Sequence, residues 1–497
     1  MAGEPEVVVA GSEVGAQGGL ALRSARGRWV LAASVLGSGI AFLDATVVNV
    51  ALPHIGRELD AGFTGLQWTV NAYTLALAAL LLLSGSLGDR LGRRRVFVVG
   101  VAWFALASLA CALAPTVEVL VGARIAQGVG GALLTPASLA LLQASFRPGD
   151  RAAAIGAWTG LTGVAGATGP LLGGWLVDVA SWRLIFLINL PLAAVVIWAA
   201  VRHVPESSAP GERARPLDVR GAGLAALALA GLTHGLGEAA AGRGSAHALA
   251  AGVVGALAAA GFIAYEARTP APLVPLGLFR ERTFSAANAV TLVVYAALSA
   301  AIFLLPLQLQ QVLDYSALMA GLSLAPVTLL MLLLSPSAGR LCQRVGPRIP
   351  LTFGPLVAAA GFALLAGVGA GDDYLVHVLP GTVVFGLGLS LTVAPLTAAV
   401  LGAAPPERAG VASAVNTTVA RAAGLLAVAL VPVLAGIGGD DYLDARAFSQ
   451  GFTNGMWITA GMCAAGGLLA ALALSAGPPR VAPELPGPET PGSLASP

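Results

Sequence analysis

Long apolar runs, each ended by a short polar or glycine- and proline-bearing break, set the pattern of this chain. They fall at roughly 29–52, 67–88, 96–114, 117–142, 152–177, 184–203, 219–238, 246–266, 284–308, 317–340, 350–371, 375–401, 409–436 and 452–475. A helix crosses ~30 Å of hydrocarbon with about 20 apolar residues, so each run is a candidate membrane span. The pattern predicts an all-α polytopic membrane protein with fourteen spans. An even number puts both termini on one side.

The break from Gly85 to Arg95 fixes which side that is. It joins spans two and three through a tight, glycine-punctuated turn bearing Arg90, Arg93, Arg94 and Arg95. Short arginine-rich loops stay in the cytoplasm. Twenty arginines fall in segments predicted to be cytoplasmic, and only Arg57, Arg183, Arg243 and Arg446 in segments predicted to be external. External loops lean acidic, with Asp372, Asp373, Asp440, Asp441 and Asp444. The N-terminus lacks the layout of a cleaved signal peptide, so the first span is expected to stay as an anchor in the plasma membrane, with both termini cytoplasmic.

An internal repeat divides the runs. Gly85, Leu87, Arg90, Gly92 and Arg94 recur 254 positions later as Gly339, Leu341, Arg344, Gly346 and Arg348. That offset fits two six-helix bundles, 29–203 and 284–475, with two inserted helices at 219–266. Segments 204–218 and 267–283 read as cytoplasmic linkers, 1–28 as a cytoplasmic tail and 476–497 as a disordered tail. Repeated halves place a substrate site at their interface near mid-membrane.

Composition narrows the function. With 57% apolar and 10% charged residues in 497, the chain lies far outside the soluble norm. It contains no lysine, so it has no phosphate-binding Gly-Lys loop and direct ATP drive is excluded. Cys111, Cys342 and Cys463 are too dispersed for a disulfide framework or a metal site. No nucleophile–base set marks an enzyme and no basic patch marks a nucleic-acid binder. The expected partners are the lipid bilayer and a small amphipathic molecule, with the chain as a monomer and no cofactor.

Polar residues inside the apolar runs carry the chemistry. Asp44 lies in the first span, where an ionised carboxylate costs about 3 kcal/mol on insertion scales. Counting helix rise, it sits roughly 13 Å below the external end of its span, and Arg124 of the fourth span roughly 10 Å below the same face. At such depths the two could be neighbours, as a functional pair or as a structural ion pair. Arg124, Gln127, Gly128 and Gly131 share one helical face. In the fifth span Gly169/Gly173 and Gly166/Pro170/Gly174 form small-residue faces at four-residue spacing, with Pro170 inviting a bend. At the cytoplasmic surface, Asp89 within its basic cluster is expected to form switchable ion pairs that help latch the halves.

Together these segments resemble the major facilitator superfamily, and within it the fourteen-span drug:proton antiporter family. Gly85–Arg95 is similar to the superfamily's cytoplasmic loop, Arg124–Ala132 to its fourth-span proton-coupling motif, and Gly169–Gly174 to the fifth-span antiporter motif. Leu43–Pro53 resembles the first-span motif with its acidic residue, and Ser181–Pro191 the loop into span six. The second half matches more loosely, through Gly386-Leu-Gly388, Pro395 and Ala412–Arg421. Ala165 departs from the antiporter motif, which has Gly at that place. The resemblance implies alternating access of two rocking bundles with protons as the coupling ion. Asp44 would exchange a proton for substrate, and Arg124 would govern that exchange. Gly166, Gly169, Pro170, Gly173 and Gly174 would control pivoting and leak. Gly85, Asp89, Arg90, Gly92, Arg93 and Arg94 would form the conformational switch, and Asn49, Gln127, Asn416 and Arg421 are candidates for the substrate cavity. The expected function is proton-driven export of amphipathic drugs or antibiotics, with neutral, zwitterionic or weakly charged compounds favoured. Alternatives are a dedicated exporter of one endogenous metabolite, a proton-coupled importer, or a non-transporting sensor.

Overall fold

A computed structural model describes residues 19–208, 217–240, 246–270, 272–405, 408–438 and 444–474. The tail up to residue 18, most of the 204–218 linker and the 476–497 tail lie outside these residues, as do Arg213, Arg215, Arg243, Asp440 and Asp441. The first half runs α1 (Ala25–Glu58), α2 (Phe63–Leu91), α3 (Arg93–Ala112), α4 (Val117–Ser145), α5 (Pro148–Val179), α6 (Leu184–Leu187) and α7 (Asn189–His203). Then come the pair α8 (Val219–Ala240) and α9 (Ala246–Glu266). The second half comprises α10 (Arg282–Gln311), α11 (Ala317–Ser323), α12 (Ala325–Val345), α13 (Arg348–Leu365), α14 (Leu379–Gly402), α15 (Ala409–Leu434) and α16 (Ala445–Ala473).

Among the described residues, 12 helical segments are long and apolar enough to cross a membrane. They include α6–α7, α11–α12 and the segment Tyr374–Gly402 as single spans, and α2, bent between Leu81 and Leu83, makes 13. α5 is a helix of 32 residues but falls outside that set. Its glycines and threonines suit helix packing better than lipid.

The 254-residue repeat has a backbone counterpart. α2 ends on Gly92 at φ 106°, and α12 ends on Gly346 at φ 81°. Both lie in the left-handed region that glycine enters freely, so each stops its helix and turns the chain sharply into the next.

Two apolar cores show how the halves meet. One, including Val30, Phe97, Phe104, Leu141 and Val196, belongs to the first half alone. The other runs from Val47, Leu52 and Phe63 of the first half through Phe303 and Leu307 into the second. The first-half residues of that shared core lie at the end remote from the arginine loops. Polar contacts cluster there too: the Gln310 amide donates to the Val50 carbonyl at 2.9 Å. Gln67 donates to Val428 at 2.8 Å, and Asp178 accepts from the Ala317 and Leu318 amides at 3.0 and 2.9 Å. The α8–α9 pair packs against α2 and α15, one helix from each half.

Candidate functional site

Asp44 and Arg124 meet. α1 and α4 pack within the first half, and the Arg124 guanidinium pairs directly with the Asp44 carboxylate, both side chains essentially fully buried. Gln127, one turn after Arg124, donates to the other Asp44 oxygen at 2.8 Å and accepts from Arg124 at 2.6 Å. Its amide also donates to the Ser108 hydroxyl of α3 at 2.8 Å. Asn189, at the start of α7, donates to Asp44 at 3.3 Å and to Ser108 at 3.2 Å. Arg124 is held further by the Thr69 carbonyl at 3.1 Å and by the Tyr73 ring, 4.4 Å from its guanidinium carbon.

Five helices therefore contribute to one network, and every group that reaches the Asp44 carboxylate, from α4 and α7, is a donor. This arrangement satisfies an ionised Asp44. A proton arriving there must compete with Arg124 for the same oxygen, so protonation and the ion pair oppose each other. Losing one partner of such a buried pair costs several kcal/mol, about 3–5 in soluble proteins.

Ser108, Asn189, Thr69 and Tyr73 were not singled out by sequence. Asn189 had a signal, since it lies inside the Ser181–Pro191 segment. The others lie in helices whose polar residues look incidental until the bundle is assembled.

The fifth-span glycines sort into two contacts. A Cβ on Gly169 would lie 2.0 Å from the Thr46 hydroxyl, and one on Gly173 would lie 2.3 Å from a Val47 methyl, so this pair faces α1. A Cβ on Gly174 would lie 2.4 Å from the Ala317 carbonyl, and one on Gly321 would lie 2.2 Å from the Pro170 carbonyl. Pro170 and Gly174 thus face α11 in the second half. Gly166 faces Phe42 more loosely. The proline leaves α5 continuous, and the Gly166 carbonyl that it frees accepts from Thr46 at 2.8 Å.

The loop after α2 is clasped by its own Asp89 and by the linker that follows α7. Asp89 pairs with Arg93 at 2.8 Å. Glu206, beyond α7, accepts from the Arg94 and Arg95 amides at 3.0 and 3.2 Å, capping the start of α3. Arg94 donates to the Val204 carbonyl at 3.1 Å, and the Arg93 amide to the Ser207 carbonyl at 2.9 Å. A Cβ on Gly92 would lie 2.8 Å from Glu206. Gly85 lies on α2 facing Pro136 of α4. Arg90 is the penultimate residue of α2, at the negative end of the helix dipole.

The cavity candidates separate. Gln127 is buried inside the Asp44 network, and Asn49 is buried with its amide donating to the Ala45 carbonyl of its own helix at 3.3 Å. Asn416 of α15 donates to Asn288 at 3.2 Å and Thr291 at 2.7 Å on α10. Arg421 is half-buried, with its guanidinium carbon 5.8 Å from the Phe42 ring of the first half.

Comparison with known proteins agrees with this architecture. The profile of the Major Facilitator Superfamily matches residues 34–428. The chain is 38% identical over 387 residues to multidrug resistance protein Stp of Mycobacterium tuberculosis, covering 78% of this chain and 71% of that one. It is 37% identical over 417 residues to the tetracenomycin C resistance and export protein of Streptomyces glaucescens, covering 82% and 76%. Identity to the methylenomycin A resistance protein of Streptomyces coelicolor is 36% over 408 residues, covering 81% and 85%. Among solved structures, a bacterial homologue of the human lysosomal transporter Spinster, inward-facing and unoccupied, matches with a TM-score of 0.65. That match has 17% identity over 90% of this chain and 97% of the other.

Proposed function

Since this chain belongs to the Major Facilitator Superfamily, a family of membrane transporters and not of enzymes, we propose that it is a proton-driven exporter of small amphipathic compounds, drugs or antibiotics. The observation that carries the reading is the buried Asp44–Arg124–Gln127 network. An intramembrane carboxylate held by one guanidinium and two amide donors is costly to build. It makes sense as a group that exchanges a proton during the cycle.

In this reading the chain crosses the plasma membrane fourteen times, with α2 and α5 completing the set and both termini in the cytoplasm. The arginine-loop end is then cytoplasmic, and the halves are closed on the outside, as in an inward-open resting state. Substrate taken up from the cytoplasm would be carried outward by rocking of the halves, and in that outward-open state a proton from outside would reach Asp44 and release Arg124. The partners of α1, including α5 through Thr46 and the glycine face, would shift with it. Return to the inward-open state and loss of the proton to the cytoplasm would restore the ion pair. Resistance and export relatives at 36–38% identity support efflux over import.

The test uses inverted membrane vesicles energised to be acid inside. Addition of substrates should release the pH gradient, and Asp44→Asn should abolish that response while leaving the protein inserted. Full compound-dependent proton release by Asp44→Asn would overturn the assignment.

A further inference from the structure

The charge balance of the membrane interior points to the class of substrate. Among the described residues, three acidic or arginine side chains lie more than five residues from either end of their helix: Asp44, Arg124 and Arg421. Asp44 and Arg124 neutralise each other in the buried pair. Arg421, near the middle of α15, makes no ion pair and no hydrogen bond to any described residue. With Asp44 ionised, the interior between the halves therefore carries one net positive charge. With Asp44 protonated it carries two.

Arg421 is also well placed to meet a ligand. It is half-buried and lies at the boundary between the halves. Its guanidinium carbon lies 5.8 Å from the ring of Phe42, two residues from Asp44 on the opposite half. A fixed cation beside the half-buried Phe42 ring offers a charge contact and a flat apolar surface together. An arginine left unpaired in the membrane interior is expensive, and the guanidinium fork matches a carboxylate or phenolate.

We propose that Arg421 binds the anionic group of the substrate, and that the transported compounds are amphipathic aromatic acids with one carboxylate or phenolate. The inference rests on the export reading and concerns the same space between the halves. A bound monoanion brings the interior to net neutrality, so the loaded protein changes conformation without moving uncompensated charge through low dielectric. Cationic amphiphiles, the opposite class, are repelled by Arg421 and find Asp44 already taken by Arg124. Protonation of Asp44 occurs next to the bound acid but on a separate helix pair, so proton and anion occupy different groups and can be loaded in turn.

The experiment compares three isosteric probes on the purified full chain in lipid nanodiscs: pyrenebutyrate, its methyl ester and pyrenebutylamine. The unmodified protein should bind the acid roughly tenfold or more tightly than the ester, as a charge-assisted contact implies, and the amine most weakly. In Arg421→Gln the ratio of acid to ester affinity should fall to about one, and Arg421→Lys should retain most of the preference. An unchanged ratio in Arg421→Gln would overturn the proposal. Binding of the amine as tightly as the acid by the unmodified protein would overturn it without any variant. The export reading fails separately, if no probe releases a proton gradient in energised vesicles while the acid preference persists in nanodiscs.

Discussion

Thr46 donates its hydroxyl proton to the Gly166 carbonyl at 2.8 Å, two residues from Asp44 on α1 and four before Pro170 on α5. Pro170 has no amide hydrogen, so the Gly166 carbonyl is without its usual intrahelical donor. The Leu43 and Phe42 carbonyls also lie within reach of the hydroxyl, at 3.0 and 3.3 Å, but the α1 backbone already satisfies them. Thr46 thus ties the helix of the candidate proton carrier to the helix of the glycine face.

Thr46→Val keeps the shape and removes the donor. The expected loss is modest, about 1 kcal/mol, as for other interhelical hydrogen bonds in membranes. The functional effect should be larger, because the link between α1 and α5 is cut: passive proton leak should rise and proton exchange per exported molecule should become loose. Thr46→Ser should behave like the unmodified chain. Proton flux in proteoliposomes without substrate is the readout, and equal leak in all three proteins would remove Thr46 from the coupling path.

Asp44 and Arg124 form a thermodynamic cycle that separates stability from chemistry. Asp44→Asn leaves the Arg124 charge buried without its counter-ion, so thermal stability in detergent should fall. Arg124→Gln on top of it removes the stranded charge and should recover much of that loss, as replacement of a buried pair often does. Compound-driven proton exchange should be absent from both proteins. Recovery of exchange along with stability would show that the pair is a structural brace.

Much of this was legible in the chain and part was not, for physical reasons. Spanning runs are long and nearly uniform, so their existence follows from hydropathy, and Asp44 and Arg124 stand out because charge is rare among them. Their depths follow from helix rise, which is why their meeting could be anticipated. Ser108 and Asn189 look ordinary because a lone hydroxyl or amide costs little to bury until its partners are known. Gln127 was expected among the cavity candidates; its amide donates to Asp44 and Ser108 and its carbonyl accepts from Arg124, so it is buried in their network. Glu206 was invisible as a cap, since it lies 112 residues from the α3 amide it accepts from, and spacing along the sequence cannot join them. The Arg loop was expected to latch the halves; its described partners are its own Asp89 and, for Arg93 and Arg94, residues 204–207 of the linker that follows α7.

Glu206 gives a test of what the loop does. Its carboxylate caps the positive end of α3, a contact worth about 1 kcal/mol at a partly exposed site. Glu206→Ala should loosen the α2–α3 turn and raise proteolytic nicking at Arg93–Arg95, while Glu206→Gln should keep part of the protection. Gly92→Ala should be worse than either, because it meets both a left-handed backbone and the Glu206 carboxylate. Nicking rates that do not follow this order would separate the cap from the loop's stability.

Gly174 offers control over which side is closed. A Cβ there would lie 2.4 Å from the Ala317 carbonyl and 2.6 Å from the Leu318 Cα, both backbone and both across the boundary between the halves. Backbone cannot rotate away as a side chain can, so any larger residue must push α5 from α11. The two helices meet only at the end remote from the arginine loops, so the wedge penalises this conformation and leaves the opposite one untouched. Populations respond steeply: about 1.4 kcal/mol shifts a two-state ratio tenfold. Spin labels at Gly62→Cys and Ala370→Cys, on opposite halves at that end, report the opening directly. Gly174→Leu should move their distance distribution from a single short population toward a longer one, and Gly174→Ala should give a smaller shift in the same direction. A distribution unchanged by Gly174→Leu would mean that α5 and α11 part for some other reason, and that the glycine is there for packing alone.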